Sequence, residues 1–376
     1  MAGLDRGVRR LSAASASAGR GVTPDLGVLL TGRAALAGLA RRGRISPGGA
    51  CRMVRAADGW VAVSLARPDD AAMVPAITAT AADIGGDPWS VLAAAARSLP
   101  AARLVDRARL LGVPAAVAGR PARADGADPE RVERPAGAAP GVPARRPLVV
   151  DLSSLWAGPL CAKLLGDAGA RVVKVESRDR PDGARAGNRA WFDWLHAGHE
   201  SVVLDFAGER GVLAGLVDAA DVVIEGSRPR ALAALGIDAG RTVAGRPGRV
   251  WLSITGHGRS GPEAAWTAFG DDAAVAAGLL ARDAAGCPVF CGDAAADPVT
   301  GLLGARAVLD SRARGGGELV SLSMVDAVRS VLGPRPTVPA DGRPDAAGPH
   351  PPPAAPPAPP AGAHTSSVVR ELVGRW

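Results

Sequence analysis

Between Leu148 and Glu176 the apolar residues change rhythm twice, and the order of the rhythms predicts a βαβ unit. Leu148, Val149 and Val150 form an unbroken run, as a strand buried on both faces requires. Ala157, Gly158 and Pro159 then open a helix whose apolar stripe is Leu160, Leu164, Leu165 and Ala168. Val172, Val173 and Val175 make the next strand, closed by Glu176. Such a unit presents backbone N–H groups to a ligand at the helix N-terminus.

Upstream, Asp58-Gly59 predicts a turn, Trp60 to Leu65 a strand, and Asp69 to Ile77 and Trp89 to Leu99 two helices. Asp106 to Leu111 leads from there into Gly112 to Val117. The rhythm lapses in residues 1–24, which are small and polar, and in two tracts rich in Pro, Gly and Ala, 121–147 and 333–362. A last helix is predicted over Thr365 to Leu372, with Thr365 or Ser366 as N-cap and Arg370 near its end. The expected organisation is therefore a disordered 1–24, a small α/β domain over 25–120, a linker over 121–147 and a large α/β domain over 148–332. A low-complexity linker, 333–362, and a C-terminal helix within 363–376 complete it. The fold class is α/β, with a Rossmann-like large domain.

Composition alters this picture only in part. The 376 residues are 47% hydrophobic but 3% aromatic, without Tyr, so Ala, Val and Leu must carry the packing. The net charge of +7 would suit an anionic partner. Lys163 and Lys174 are the only lysines and the arginines are dispersed, which is not the pattern of a nucleic-acid face. Cys51, Cys161, Cys287 and Cys291 form no disulfide framework, and Cys287 and Cys291 lack a second Cys/His pair for a metal. No run approaches the ~20 apolar residues of a membrane helix and there is no signal-peptide core, so a cytoplasmic protein without membrane contact is expected. The turn before Ala157 lacks the Gly-x-Gly-x-x-Gly of a dinucleotide site, which disfavours a nicotinamide enzyme.

Six motifs in order resemble family III CoA-transferases, the CaiB/BaiF group. They begin with Asp151-Leu-Ser, Ala157-Gly158-Pro159, Leu164 to Ala170 and Val172 to Glu176. His199 to Phe206, Asp221 to Pro229, Ser253 to Pro262, Asp297-Pro-Val-Thr-Gly301 and Gly315 to Ala327 follow. The segment from Trp60 to Val117 is similar to the small domain of that family, which here precedes the large domain rather than following it. The resemblance implies the family III fold, acyl-CoA and carboxylic acid as substrates, no metal, and a homodimer.

Carrying CoA between acids needs a nucleophile able to hold an acyl group and then CoA, which a carboxylate can do. The resemblance aligns that role with Asp297; Asp293 is the alternative. Asp297 before Pro298 also reads as a helix N-cap, a structural role compatible with catalysis. For CoA the resemblance implies contacts at Ser154, Leu155, Trp156 and Ala157, with Arg178, Arg180 and Arg228 for phosphates. Two departures remove polar groups from that region: His196-Ala-Gly-His199 replaces Asn-Arg-Gly-Lys, and Glu225-Gly-Ser-Arg-Pro229 replaces Glu-Asn-Phe-Arg-Pro. Racemases of this fold exchange a proton through a His and an Asp. At the His position this chain has Phe269-Gly-Asp-Asp272, and His257 reads as structural. A homologue that binds CoA without turning it over is the other alternative.

Overall fold

The computed structural model describes residues 2–80, 86–119, 129–332 and 348–374. The chain begins with α1 (Ala2–Ser17) and α2 (Leu26–Ala37), followed by β1 (Cys51–Arg55), β2 (Trp60–Ser64), α3 (Pro68–Ala72) and α4 (Val74–Thr78). Next come α5 (Pro88–Ala96), α6 (Ala101–Leu110), β3 (Ala115–Val117) and β4 (Glu130–Glu133). The alternating part consists of β5 (Leu148–Asp151), α7 (Ala157–Asp167), β6 (Arg171–Ser177), α8 (Arg189–His196), β7 (Glu200–Leu204), α9 (Arg210–Ala219) and β8 (Val222–Glu225). It continues through α10 (Pro229–Ala234), α11 (Ala239–Ala244), β9 (Val250–Thr255), α12 (Gly270–Ala277), β10 (Leu280–Arg282) and β11 (Pro288–Phe290). The chain closes with α13 (Ala296–Ala313), β12 (Glu318–Ser323), α14 (Met324–Val331) and α15 (Thr365–Leu372).

Seven strands form the large sheet in the order β4-β12-β9-β8-β5-β6-β7, parallel except for β4 at one edge. The chain leaves β5 towards β6 and β7, then returns to lay β8 on the other side of β5. That reversal opens a crevice beyond the carboxyl ends of β5 and β8. Continuous apolar strands such as Val149-Val150 and Val222-Val223-Ile224 are buried because helices cover both faces. One face packs on α1, α7, α13 and α14, the other on α9, α11 and α15.

The antiparallel sheet β1-β2-β3 has its own core with α4, α5 and α6, built from Val61, Val63, Ile77, Leu92 and Leu104. Its other face, through Cys51, Met53 and Ala62, meets Val275 of α12 and joins it to the rest of the molecule. The expected helix Asp69 to Ile77 divides at Met73 into α3 and α4, since Pro75 cannot supply the N–H that would continue it.

Three segments correct the sequence reading. Residues 1–24, expected to be disordered, contain α1, which buries Leu4, Val8 and Leu11 against α13. Arg6, Arg9 and Arg10 interrupt that stripe in the sequence but lie on the solvent side. The linker 121–147 holds β4, whose Glu130, Arg131, Val132 and Glu133 pair with β12, while Arg306 bonds the Glu130 carboxylate. A short, charged edge strand carries too little apolar signal to be read beforehand. In the tract 333–362, residues 333–347 lie outside the described residues, but 348–362 run along α2 and α8. His350 N–H donates to Thr31 Oγ1 at 2.8 Å and Ala358 N–H to Asp193 Oδ1 at 2.8 Å.

The last helix forms where expected, with a different cap. His364 takes the N-cap position, and the Thr365 hydroxyl accepts the Val203 N–H at 3.1 Å. His364 also exchanges bonds with Ser201, so this segment covers the open edge of β7.

Candidate functional site

The turn between β5 and α7 sits at the crevice. Leu155 takes a left-handed backbone (φ 71°), held by its N–H to Asp182 Oδ1 at 2.9 Å. A Cβ at Gly158 would collide with Ser153, so the glycine lets the turn fold back on its own helix. Beneath it the buried Lys174 donates to Ser153 O at 3.1 Å and pairs with Asp182 at 2.8 Å. Trp156 is buried, its ring edge-on to Trp191 at 5.1 Å.

The first N–H groups of a helix have no partner within it. Here the N–H of Ala157, first residue of α7, donates to Asp297 Oδ1 at 3.2 Å. Asp297 does not cap its own helix: α13 begins at Ala296 with Ala295 as N-cap, and the carboxylate faces α7 instead. Two glycines permit this. A Cβ at Gly301 would stand 2.8 Å from Ala157 O and 2.9 Å from Leu160 Cβ, so its absence lets α13 lie directly on α7. A Cβ at Gly270 would collide with Asp297 Oδ2 and Ala294 O, so α12 starts against the carboxylate itself.

Three further aspartates and one arginine surround this point. Asp271 Oδ1 accepts the Ala294 N–H at 2.9 Å, and Asp272 Oδ1 accepts from Phe269 N–H and Ser64 Oγ, both at 2.9 Å. Arg33 of α2 grips Asp293 with Nε to Oδ2 at 2.7 Å and Nη2 to Oδ1 at 2.6 Å. Its guanidinium lies over the Trp156 ring, 5.4 Å from the centroid. Asp293 is buried in that pair, so this alternative candidate is engaged, whereas Asp297 accepts a single backbone bond among the described residues.

Burial pushes the Asp297 carboxyl up to about 7, with Asp271 and Asp293 adding to the rise and Arg33 and the Ala157 N–H opposing it. Burial likewise lifts Asp271 to about 6 and Asp272 to about 7. Carboxyl groups raised towards neutrality by burial are suited to nucleophilic or acid–base work.

The other expected residues divide. Ser154 and Leu155 are exposed on the turn, with Trp156 and Ala157 buried behind them. Arg228, at the N-cap of α10, is driven down first by burial and then by Arg230, Arg67 and Arg180, which places four cations within one field. Arg178 is exposed and lies 3.6 Å from Glu209. His257 packs edge-on to Trp266 at 5.3 Å, and burial lowers it to about 3. Among the described residues, no group of His, Cys, Asp and Glu has the form of a metal site, and no helix is long and apolar enough to cross a membrane.

Sequence reasoning missed Arg33 and Arg67. Arg33 did leave a signal: it is the one charge in the apolar helix Leu26–Ala37. Arg67 left none, since its neighbour Asp70 makes it read as an ordinary surface pair.

An acyl-CoA transferase of Fusarium pseudograminearum is 31% identical over 207 residues, covering 49% of this chain and 45% of that protein. A succinate–glutarate CoA-transferase of Agrobacterium fabrum is 28% identical over 205 residues, covering 49% and 51%. The crystal structure of a CaiB/BaiF family protein from Brucella suis, 32% identical, covers 49% of this chain and 54% of its own at a TM-score of 0.46. The chain spans about half the length of the curated relatives it matches. The family model described as CoA-transferase family III matches residues 147–365, more than half of the 376, and the chain therefore belongs to that family.

Proposed function

We propose that this protein moves coenzyme A from an acyl-CoA donor to a carboxylic acid, with Asp297 as the nucleophile. The observation that carries this reading is the Asp297 carboxylate set against the N-terminal N–H of α7 beside the β5 turn. The ionised carboxylate attacks the thioester carbonyl, forming an acyl-aspartyl anhydride as the CoA thiolate leaves. The thiolate then attacks the aspartyl carbonyl, which gives aspartyl-CoA and frees the first acid. The second acid repeats the exchange in reverse and departs as its CoA ester. The positive end of α7 favours the charge that develops on oxygen at each step.

CoA would lie across Ser154, Leu155, Trp156 and Ala157, and the cations Arg228, Arg180 and Arg67 supply the field for its phosphates. Arg178, turned towards Glu209, fits this less well. A homodimer in the cytoplasm, with the small domain placed ahead of the large one, completes the reading; a monomer in sedimentation at working concentration would remove the dimer. The racemase alternative lacks its imidazole, since Asp271 stands where that reaction needs a His. The test is formation of new CoA esters from succinyl-CoA or acetyl-CoA and a panel of carboxylic acids. Transfer that vanishes in Asp297→Asn supports the proposal. Transfer unchanged in that variant, α-proton exchange in its place, or CoA binding without turnover contradicts it.

A further inference from the structure

We infer that Arg33 receives the carboxylate of the acid substrate, through the guanidinium nitrogen that Asp293 leaves free. The inference rests on the transfer reading above and names a residue outside the 147–365 stretch that matches the family. Its starting point is charge. An acid approaching the aspartyl-CoA at Asp297 meets Asp271 and Asp293, and their carboxylates repel a third. Arg33 faces all three aspartates.

The geometry leaves Arg33 able to bind. Asp293 takes Nε and Nη2, and among the described residues Nη1 has no acceptor. The side chain is 32% exposed while that of Asp293 is 2% exposed, so the pair opens on the arginine side. The fork from Asp293 and the Trp156 ring fix the guanidinium plane, and a fixed plane is what makes carboxylate recognition by arginine selective. A Cβ at Gly48 would stand 3.0 Å from Nη2, so this glycine lets the loop after Ser46 lie against the edge of the guanidinium that Asp293 already holds. The buried indole Nε1 of Trp156 likewise has no acceptor among the described residues. Asp293 is on this view the strut that holds the clamp.

The experiment compares the wild type with Arg33→Lys and with the double variant Arg33→Met/Asp293→Asn, which avoids stranding a buried aspartate. Succinate is titrated calorimetrically into each protein. Formation of the Asp297 acyl adduct from acetyl-CoA, trapped with neutral hydroxylamine, is measured in parallel. The inference predicts saturable succinate binding to the wild type, weakened at least tenfold in the double variant and less in Arg33→Lys, with the final adduct yield, which altered ionisation of Asp297 slows but does not cap, retained in all three. Equal succinate affinity in wild type and double variant, or no succinate binding to the wild type, overturns it, as does an equal fall of binding and adduct formation. Loss of the adduct from the wild type itself would instead defeat the Asp297 reading.

Discussion

Asp297 and Ala157 lie 140 residues apart in sequence and meet through one hydrogen bond of 3.2 Å, a side-chain oxygen on the opening N–H of a helix. The contact exists because α13 and α7 touch at Gly301, and because α12 begins with a residue that has no Cβ. Local backbone features of three helices thus converge on one carboxylate.

The pH dependence of turnover follows from that carboxylate. In the proposed transfer Asp297 attacks as the ionised carboxylate, and its pKa is raised to about 7 by burial first and by its acidic neighbours second. The account therefore expects kcat/KM to rise with pH through about 7. Asp271→Asn removes one of the charges that raise it, so the same limb should move to lower pH in that variant. A pH–rate profile of both proteins checks the direction.

Stability should respond with the opposite sign. The folded-state pKa of Asp297 lies above the unfolded value of about 3.9, so its contribution is complete below about pH 4 and is lost as pH rises through 7. Asp297→Asn cannot ionise and should unfold at a higher temperature than the wild type at pH 8, with the difference shrinking towards pH 4. Thermal unfolding across that range measures it.

Gly270 is expected to accept no side chain. A Cβ there overlaps Asp297 Oδ2 and the backbone of Ala294, and the backbone cannot swing aside. Gly270→Ala should destabilise the protein by about 1–3 kcal/mol, in the range of overpacked cores, and should abolish transfer. Chemical denaturation and an assay of the same preparation separate the two effects.

The N-terminal helix supplies a check on the fold. Leu11 is fully buried against the layer that carries α13. Leu11→Ala should cost about 2–5 kcal/mol, as a large-to-small change in a core does. A change of less than about 0.5 kcal/mol, typical of exposed positions, would mean that α1 does not pack as described.

Lys174 and Asp182 form a buried pair beneath the β5 turn. Lys174→Met leaves Asp182 without its cation, and the loss should be about 3–5 kcal/mol. The turn at Ser153 loses its brace as well, so CoA binding should weaken in whatever fraction remains folded. Equilibrium denaturation gives the first quantity and CoA titration the second.

How much of this could be read beforehand varied by element. The strand–helix–strand from Leu148 to Glu176 was legible because burial on both faces forces an unbroken apolar run. The motif singles out Asp297 but not its partner: the Asp-Pro dipeptide suggests a cap for α13, while the carboxylate accepts the first N–H of α7. Arg33 leaves only the mark of a lone charge in an apolar helix, which normally faces solvent, and only the tertiary fold supplies Asp293, 260 residues away, as its partner. The helix α1 was hidden by its arginines, and residues 348–362 by the lack of any periodicity, since they pack through isolated residues such as Ala358.

The central claim is that Asp297 carries the transferred group, and mass spectrometry of the intact protein tests it most directly. The protein is incubated with a panel of acyl-CoA esters and hydroxylamine, then digested and mapped. The account predicts a hydroxamate on the peptide containing Asp297 and none in Asp297→Asn. An adduct on Asp293 or another residue, or none from any ester despite measurable CoA binding, would contradict it.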